Sequence, residues 1–516
     1  MLAEHVPAAA RVNSSQDRSV ELGNWPSLVA LTASVVLLWS ALPALLQTVP
    51  HADNVEQLNW AHALQWGYFK HPPLPTWLLH AAIEAFGASA FLTYALAMSC
   101  IGATLLILWR CALLLLDRAD AFVAVLLSSA DYYLMGRGSF LNHNTVMLPF
   151  VAASAWCVLR IVRDEPRSGG WLPWFLLGIC QALGLLTKYQ MAIFIGANAL
   201  ALIVLGVWRR PHFWRYVALC CVATLVPLVP HVLWLGGHEF STFAYASHSL
   251  LAELPLGERV LHLAGFIVQQ IGRLAPALFA LALAVIVQRT ARRHSPAQAA
   301  PEDVERPGAL PQQRALAILA LTPLGIVMLL VLLAGVAPQN HWGASATLLL
   351  PLFGVSLLRE SSRPGPRPAL LAVITAHAAA VIWNVVVATR APGFHHSFAA
   401  QPLAAMALAH WQTKTSGPLA IVVGPDWEAG AISLELPSHP AVLSSGERSQ
   451  APWITAEQLA RCGALVLWRP DQAPEQQVGS EFAARMQWSV ELQTRVPRGS
   501  LSAIGAGIIA PASSGC

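Results

Sequence analysis

The sequence is poor in charge. Of its 516 residues, 11% are Asp, Glu, Lys or Arg and 56% are hydrophobic, and the mean hydropathy is +0.54. Soluble globular proteins carry roughly 25% charged residues, so this composition excludes a soluble globule and predicts a polytopic membrane protein. The formal net charge of +4 is small. Because the basic residues fall mainly in short loops, no nucleic-acid partner is expected.

A disulfide framework, a cleavable signal and an internal repeat are also missing. Six of the eight cysteines lie in apolar stretches, where a free cysteine behaves as a small hydrophobe. Whether Cys462 and Cys516 in the polar tail form a pair stays open. Residues 1–23 are polar and the first apolar run has no small-residue cleavage site, so we expect that run to remain as an anchor. The missing repeat counts against transporters built from duplicated halves.

Long apolar runs are abundant. A bilayer core needs about 20 apolar residues per helix, and this rule predicts about eleven spans. Their approximate limits are 26–48, 90–116, 119–135, 143–163, 171–187, 190–208, 214–235, 260–288, 315–336, 343–358 and 368–389. The run from Leu74 to Phe86 is too short to span and ends at Gly87, so it predicts an interfacial helix.

Arginine marks one side of the predicted bundle. It precedes span one and follows spans two, four, six, eight and ten, and loops rich in Lys and Arg are cytoplasmic by the positive-inside rule. We therefore expect a cytoplasmic N-terminal tail over residues 1–25 and a transmembrane domain over 26–390. Polar residues gather in the opposite loops, above all in the outer loop 49–89.

Past residue 390 the composition becomes that of a soluble domain. Strand-like runs at 419–424 and 464–468 alternate with helix-like runs at 426–436 and 455–461. This alternation predicts a small α/β domain over residues 391–516. With eleven spans and the N-terminus inside, the domain is expected on the periplasmic side.

The segment DNVEQLNWAHALQWGYFKHPP, residues 53–73, carries the most chemistry. Charge at a membrane face is costly unless it has a function. Asp53 and Glu56 are three residues apart, so on a helix they share a face. A carboxylate in this place can act as a general base or coordinate a divalent cation. The alternative is a capping box, with Asp53 as the N-cap.

Cationic residues recur at the same predicted face. Lys70 and His71 precede a rigid Pro-Pro corner, where they can bind a lipid phosphate or, with the nearby aromatic residues, merely anchor the chain at the interface. Lys188 follows span five and either binds an anionic ligand or snorkels to the headgroups.

Two further candidates lie near the later spans. Arg273 is inside span eight, and an intramembrane Arg is a functional-site hypothesis by default. His341 and Trp342 open span ten, where His could serve in acid–base chemistry and Trp could stack on a sugar. A plain interfacial His-Trp pair is the alternative.

In this order the motifs resemble the polyprenyl-phosphate-sugar glycosyltransferases of the GT-C superfamily. The resemblance is to family 39, which includes protein mannosyltransferase, aminoarabinose transferase and many bacterial relatives, and it covers the whole membrane region. Its carriers are the segment from Asp53 to Pro73, FLNHNTVMLP after span three, GLLTKY at Gly184 to Tyr189, and NHW at span ten.

The resemblance implies that Asp53 is the catalytic base, which activates the acceptor while the sugar leaves its lipid phosphate. The family usually has a second acid beside this Asp; this chain has Asn54, and Glu56 is the candidate stand-in. Where relatives carry an acid before His-Pro-Pro, as a metal ligand, this chain has Lys70. The need for a divalent cation therefore stays open.

The resemblance also implies a set of residues that bind the donor and its lipid phosphate. The set comprises Lys70, His71, Asn144, Lys188, Arg273, His341 and Trp342. The second outer loop of the family often carries an Asp. This chain has Asn142, His143 and Asn144 there, and the two amides can hydrogen-bond but cannot act as a base.

The implied reaction is an inverting displacement at the anomeric carbon. The donor is a polyprenyl-phosphate-linked sugar, the acceptor is a lipid, glycan or protein, and the place is the outer face of a bacterial inner membrane. Two alternatives remain. One is a transporter or flippase of polyprenyl-linked glycans. The other is a catalytically inactive relative that binds lipid-linked sugar, as Asn54, Lys70 and Asn144 suggest.

Overall fold

The computed structural model describes residues 22–164, 170–250, 255–294, 309–391, 393–495, 501–512 and 516. Helices form most of the described chain before residue 415. The first eight are α1 (Trp25–Leu46), α2 (Ala52–Trp60), α3 (Leu74–Phe86), α4 (Ala90–Ala112), α5 (Arg118–Ser129), α6 (His143–Arg163), α7 (Leu172–Thr187) and α8 (Met191–Val204). The next eight are α9 (Phe213–Leu225), α10 (Val229–Gly237), α11 (Ser241–Leu250), α12 (Leu256–His294), α13 (Ala309–Ala334), α14 (Gly343–Ala346), α15 (Leu350–Leu357) and α16 (Pro366–Arg390).

The polytopic helical fold is confirmed, and each predicted span is helical over at least part of its length. Seven helical segments in the described residues are long and apolar enough to cross a membrane, and α7 and α8 are shorter apolar helices. The third and tenth predicted spans are interrupted. α5 ends at Ser129 because the chain turns at Asp131, whose carboxylate accepts a hydrogen bond from the amide of Tyr133 (2.7 Å). The tenth is divided between α14 and α15.

α6 is the central helix of the bundle. It packs against α4, α7 and α13, and 72% of its most apolar 18-residue stretch is buried, against 22% for α16. α6 therefore faces other helices, whereas α16 turns most of its surface toward lipid. The Asn142 side chain caps α6 and accepts hydrogen bonds from the amides of Asn144 (2.9 Å) and Thr145 (3.0 Å). This cap fixes where α6 begins.

The C-terminal region forms a small α/β unit, as predicted. Its elements are α17 (Phe394–Ser397), α18 (Ala400–Lys414), β1 (Ile421–Gly424), α19 (Asp426–Glu435), β2 (Ala441–Ser444), α20 (Ala456–Cys462), β3 (Ala464–Trp468), α21 (Pro474–Val478), α22 (Ser480–Arg485), β4 (Gln487–Arg495) and β5 (Leu501–Ile509). The sheet order is β2-β1-β3-β5-β4. β1 pairs in parallel with β2 and β3, while β5 pairs antiparallel with β3 and β4. Cys462 and Cys516 form a disulfide.

The α/β unit rests on α2. The Trp427 indole donates to the carbonyl of Pro50 (2.9 Å), and the Asn59 amide donates to the Asp426 carboxylate (3.0 Å). Gly430 of α19 faces α2 so closely that a Cβ there would lie 2.3 Å from Val55 Cγ1. The unit is thus fixed at the end of the bundle where α1 leads into α2.

We predict that Gly430→Ala destabilises this contact. Alanine favours a helix over glycine by about 1 kcal/mol, whereas overpacking costs about 1–3 kcal/mol, so the midpoint of thermal unfolding should fall. The matched control is Gly417→Ala, because a Cβ there meets nothing within 4 Å. A Gly430→Ala protein as stable as the control in detergent would contradict this packing.

Candidate active site

One cavity brings together distant parts of the chain. It holds about 680 Å³ of free space at the end of the bundle where the α/β unit lies. Its walls come from α2, the 70–72 corner, the start of α6, the turn between α7 and α8, α11, α13, the 339–342 segment and the start of α19. Eight of the nine predicted site residues line it, namely Asp53, Glu56, Lys70, His71, Asn144, Lys188, His341 and Trp342.

Asp53 lies in the first turn of α2, with its carboxylate partly exposed to the cavity. The N-cap of α2 is His51, and no side chain caps the helix, so the capping-box alternative is wrong: the helix begins at Ala52, before Asp53. Asn142 donates a hydrogen bond to Asp53 Oδ2 (2.7 Å). Within the described chain no residue donates to Oδ1, which leaves that oxygen to accept a proton from a ligand.

The Asn142 bond to Asp53 follows from the cap of α6. Because Asn142 Oδ1 is occupied by two helix amides, its Nδ2 must turn away from the helix and toward α2. The amide is therefore a fixed donor to the carboxylate.

Glu56 forms an ion pair with Lys70. Burial raises the pKa of Glu56 to about 7, although Lys70 acts in the opposite direction. Burial also disfavours the charged form of Lys70, but the attraction of Glu56 outweighs it and raises the lysine pKa. Glu56 is therefore the partner of Lys70, which weakens its expected role as a second catalytic acid.

Lys188 lies at the C-cap of α7, in the short turn before α8. Its Nζ donates to Asn144 Oδ1 (2.6 Å), which joins this turn to the start of α6. Burial lowers the pKa of Lys188 to about 7, although the charge of Asp53 opposes the shift. Lys188 is consequently a cation that loses its proton close to neutral pH.

The histidines of the cavity are neutral. Burial lowers the pKa of His71 well below its usual range, with further repulsion from His143 and Lys188. His71 and His143 are in ring contact, with centroids 4.0 Å apart. Burial and then Lys188 lower the pKa of His341 to about 3. These side chains therefore offer hydrogen bonds rather than charge to a ligand.

Arg273 is the predicted site residue that lies behind the cavity wall, and its predicted contact with the donor is revised. Its guanidinium donates to the carbonyl of Asn340 (2.8 Å) and lies over the ring of Tyr133, 5.3 Å from the centroid. Burial makes such a charge costly unless it is compensated. Arg273 thus positions the 340–342 turn, which carries His341 and Trp342.

Asn54 points away from the cavity. It is fully buried, donates to Thr93 Oγ1 (2.8 Å) and accepts from the amide of Leu141 (3.2 Å). These bonds fasten α2 to α4 and to the segment before α6. Asn54 is therefore a structural residue, and an asparagine in this place does not remove an acid from the cavity.

Other lining residues were not selected from the sequence as site residues. They include Gln57, Tyr189, Gln190, Thr242, Tyr245 and Asp426. Tyr189 adjoins Lys188 in the GLLTKY motif, which was the available signal. Asp426 follows a strand-like run and lies in the first turn of α19, so its place in the sequence is explained by a helix start alone. Its approach to Glu56 and Lys70 depends on how the α/β unit docks.

The side chains at this site do not form a set of ligands for a divalent cation. In the chain segments that the structure describes, no group of three or more His, Cys, Asp or Glu side chains could hold a metal ion. The Lys70 ammonium contacts the Glu56 carboxylate, which is the oxygen ligand a cation would need. No step of the chemistry is therefore assigned to a metal.

Known proteins match the chain along most of its length. The dolichyl-phosphate-mannose-protein mannosyltransferase family matches residues 70–234. The lipopolysaccharide core galacturonosyltransferase RgtA of Rhizobium johnstonii is 24% identical over 452 residues, 82% of this chain and 83% of that protein. The undecaprenyl phosphate-alpha-4-amino-4-deoxy-L-arabinose arabinosyl transferase of Edwardsiella ictaluri is 24% identical over 188 residues, 36% of this chain and 34% of that protein.

A solved structure has the same fold. The crystal structure of ArnT from Cupriavidus metallidurans bound to undecaprenyl phosphate aligns with a TM-score of 0.59 at 11% identity, and the alignment covers 94% of this chain and 98% of that chain. This structure confirms the fold, and the relatives named above confirm the resemblance found in the sequence and the class of enzyme. The chain is a multi-pass membrane glycosyltransferase with the GT-C fold, similar over residues 70–234 to the dolichyl-phosphate-mannose-protein mannosyltransferases.

Proposed function

We propose that the protein transfers a sugar from a polyprenyl-phosphate donor to a hydroxyl group of an acceptor, with Asp53 as the general base. One observation carries the proposal: the Asp53 carboxylate and the Lys188 ammonium line the same cavity, although 135 positions of sequence separate them. The acceptor is a lipid, glycan or protein. Lipopolysaccharide core is the first to test, because RgtA is named for that acceptor.

In the proposed reaction Asp53 Oδ1 takes the proton of the acceptor hydroxyl as its oxygen attacks the anomeric carbon. The bond from that carbon to the phosphate oxygen breaks, the phosphate keeps the electron pair, and configuration inverts. Lys188 and Lys70 lie on the cavity wall, where they can stabilise the charge on the departing phosphate.

The cavity also suits the lipid part of the donor. Ile193 of α8 and Leu330 of α13 line it beside Trp342, so one side of the cavity is apolar and continues into the membrane helices. A polyprenyl chain needs such a surface, since each buried CH₂ group contributes about 0.8 kcal/mol. The phosphate of the donor would then lie at Lys70 and Lys188, and its polyprenyl chain would lie against α8 and α13.

We place the cavity and the α/β unit outside the cytoplasm of a bacterial inner membrane, with the N-terminus inside. The Cys462–Cys516 disulfide supports this orientation, because disulfides persist in oxidising compartments. The arginine-bearing loops support it too. Arg210 donates to the carbonyls of Ile161 (2.6 Å) and Asp164 (3.0 Å), so basic loops meet at the opposite end of α6 from Asn142.

Asp53→Asn should abolish the general base while keeping the shape of the side chain. General-base catalysis contributes about 10²- to 10⁴-fold, so kcat should fall by that factor, whereas donor binding should stay nearly unchanged. The measurement is transfer from labelled polyprenyl-phosphate sugar to lipopolysaccharide in proteoliposomes.

The control for Asp53→Asn is Glu84→Gln. Glu84 belongs to the same outer loop but is exposed on α3 and does not line the cavity. It should transfer sugar at the wild-type rate. Transfer by Asp53→Asn at the wild-type rate would contradict the base assignment. Donor binding without transfer by the wild-type protein would favour the inactive relative, and transport without transfer would favour the flippase.

Binding of the lipid phosphate should weaken as pH rises through about 7, the pKa of Lys188 in the free protein. The protonated lysine attracts phosphate, and the fraction protonated falls about tenfold per pH unit above the pKa. Lys188→Arg keeps its charge in this range. From pH 6 to 8 the wild-type affinity for undecaprenyl phosphate should therefore fall about tenfold relative to Lys188→Arg, measured by equilibrium binding. Parallel pH profiles of the two proteins would contradict phosphate binding by Lys188.

Orientation can be tested by fusing alkaline phosphatase after residue 400. The enzyme folds only under oxidising conditions, so it should be active if the α/β unit lies outside the cytoplasm. A fusion after residue 212, in an arginine-bearing loop, is the matched control and should be inactive. Activity at 212 and not at 400 would reverse the orientation.

A further inference from the structure

A second cavity of about 240 Å³ lies on the other side of the wall that carries Asp53. It sits between the ends of α1 and α16 and the 136–140 segment. Two segments of the polypeptide, residues 51–53 and 140–142, separate the second cavity from the active site. In the first, His51 faces the second cavity while Asp53 faces the active site; in the second, Phe140 faces the second cavity while Asn142 faces the active site.

Arg137 is the one Lys, Arg, Asp or Glu among the described residues that line this cavity, so the formal charge of the lining is positive. The polar lining contains Arg137, three histidines (His51, His395 and His396) and two amides (Gln47 and Asn384), and none of the lining residues is Asp or Glu. Arg137 is exposed and lies over the ring of Phe140, 5.1 Å from the centroid. No Asp or Glu in the described part of the chain forms an ion pair with it. A cation held in this way is complementary to an anion.

The other lining of the cavity is apolar and continues onto the lipid-facing surface. Leu42, Pro43 and Leu46 of α1 stand opposite Val387 of α16. On the same two helices Leu45 is 82% exposed and Trp383 60% exposed, as expected for side chains that face lipid. A ligand that fills the cavity therefore has an anionic part against Arg137 and an apolar part along α1 and α16.

We propose that this cavity binds the phosphate or carboxylate headgroup of a membrane lipid, with Arg137 as the main partner and the acyl chains against α1 and α16. The site is distinct from the lysine-lined active site. A short segment of chain connects the two sites. Arg137 lies on the short helix Gly136–Ser139, and Asn142, which donates a hydrogen bond to Asp53, follows three residues after that helix. The lipid is either a bilayer phospholipid or an anionic acceptor of the proposed reaction.

The test is lipid binding by the full-length protein in detergent, followed by native mass spectrometry with phosphatidylglycerol or zwitterionic phosphatidylcholine. The wild-type protein should retain phosphatidylglycerol in preference. Arg137→Gln should weaken that binding about tenfold or more, since hydrogen bonds to charged groups are the stronger class. The control is Arg390→Gln, which removes an exposed arginine from the end of α16 outside the cavity and should bind as wild type.

Equal retention of phosphatidylglycerol by wild type and Arg137→Gln would overturn the proposal, and so would equal retention of the two lipids by wild type. Added lipopolysaccharide then separates the two sources: displacement of phosphatidylglycerol assigns the site to the acceptor, and no displacement assigns it to a bilayer lipid. Asp53→Asn should bind phosphatidylglycerol as wild type does. The result therefore does not depend on whether transfer by Asp53 is correct.

Discussion

A charged side chain that is buried at a membrane edge needs an ion-pair or hydrogen-bond partner. This requirement determines how the residues around the cavity are arranged. An unpaired buried charge costs several kcal/mol. The side chains that face the cavity accordingly occur in pairs: Asp53 with Asn142, Glu56 with Lys70, and Lys188 with Asn144. Two of the three pairs use an amide from the start of α6. The position at which that helix begins therefore determines where the carboxylate and the buried lysine can lie.

α2 transmits this constraint to the rest of the molecule. Although it has nine residues, its faces make four different contacts. Asp53 faces the cavity of the proposed site, Asn54 is bonded to α4, Val55 packs against Gly430 of the α/β unit, and His51, at the N-cap, faces the second cavity. A helix held on so many sides has little freedom to shift. This rigidity keeps Asp53 at a fixed place relative to the lysines, as the proposed reaction requires.

Local signals predicted the apolar helices and the strands β1 and β3. How these elements pack against one another is determined by long-range contacts. Hydropathy located the apolar helices, and the β-propensity of ALVLW located β3 to the residue. The break after α5 was missed because the Asp131 turn depends on a side-chain hydrogen bond that interrupts a segment interpreted as one continuous span. Eight of the residues predicted from the order of the motifs line one cavity. The sequence could not show that Asn54 points away from this cavity or that Asp426 lines it. Those facts depend on contacts between segments 39 to 367 residues apart.

Lys70 changes the electrostatics of the proposed site in one further way. An acid in this place would suit a metal ion, whereas Lys70 neutralises Glu56 and so leaves the pair with little net charge. Burial holds the pKa of Glu56 and that of Lys188 both at about 7, from opposite directions. A phosphate that enters the cavity favours protonation of both groups, because negative charge raises the pKa of its neighbours. Protonated Glu56 no longer neutralises Lys70, so in the proposed reaction the phosphate of the donor would itself favour the positive charge that it needs on leaving.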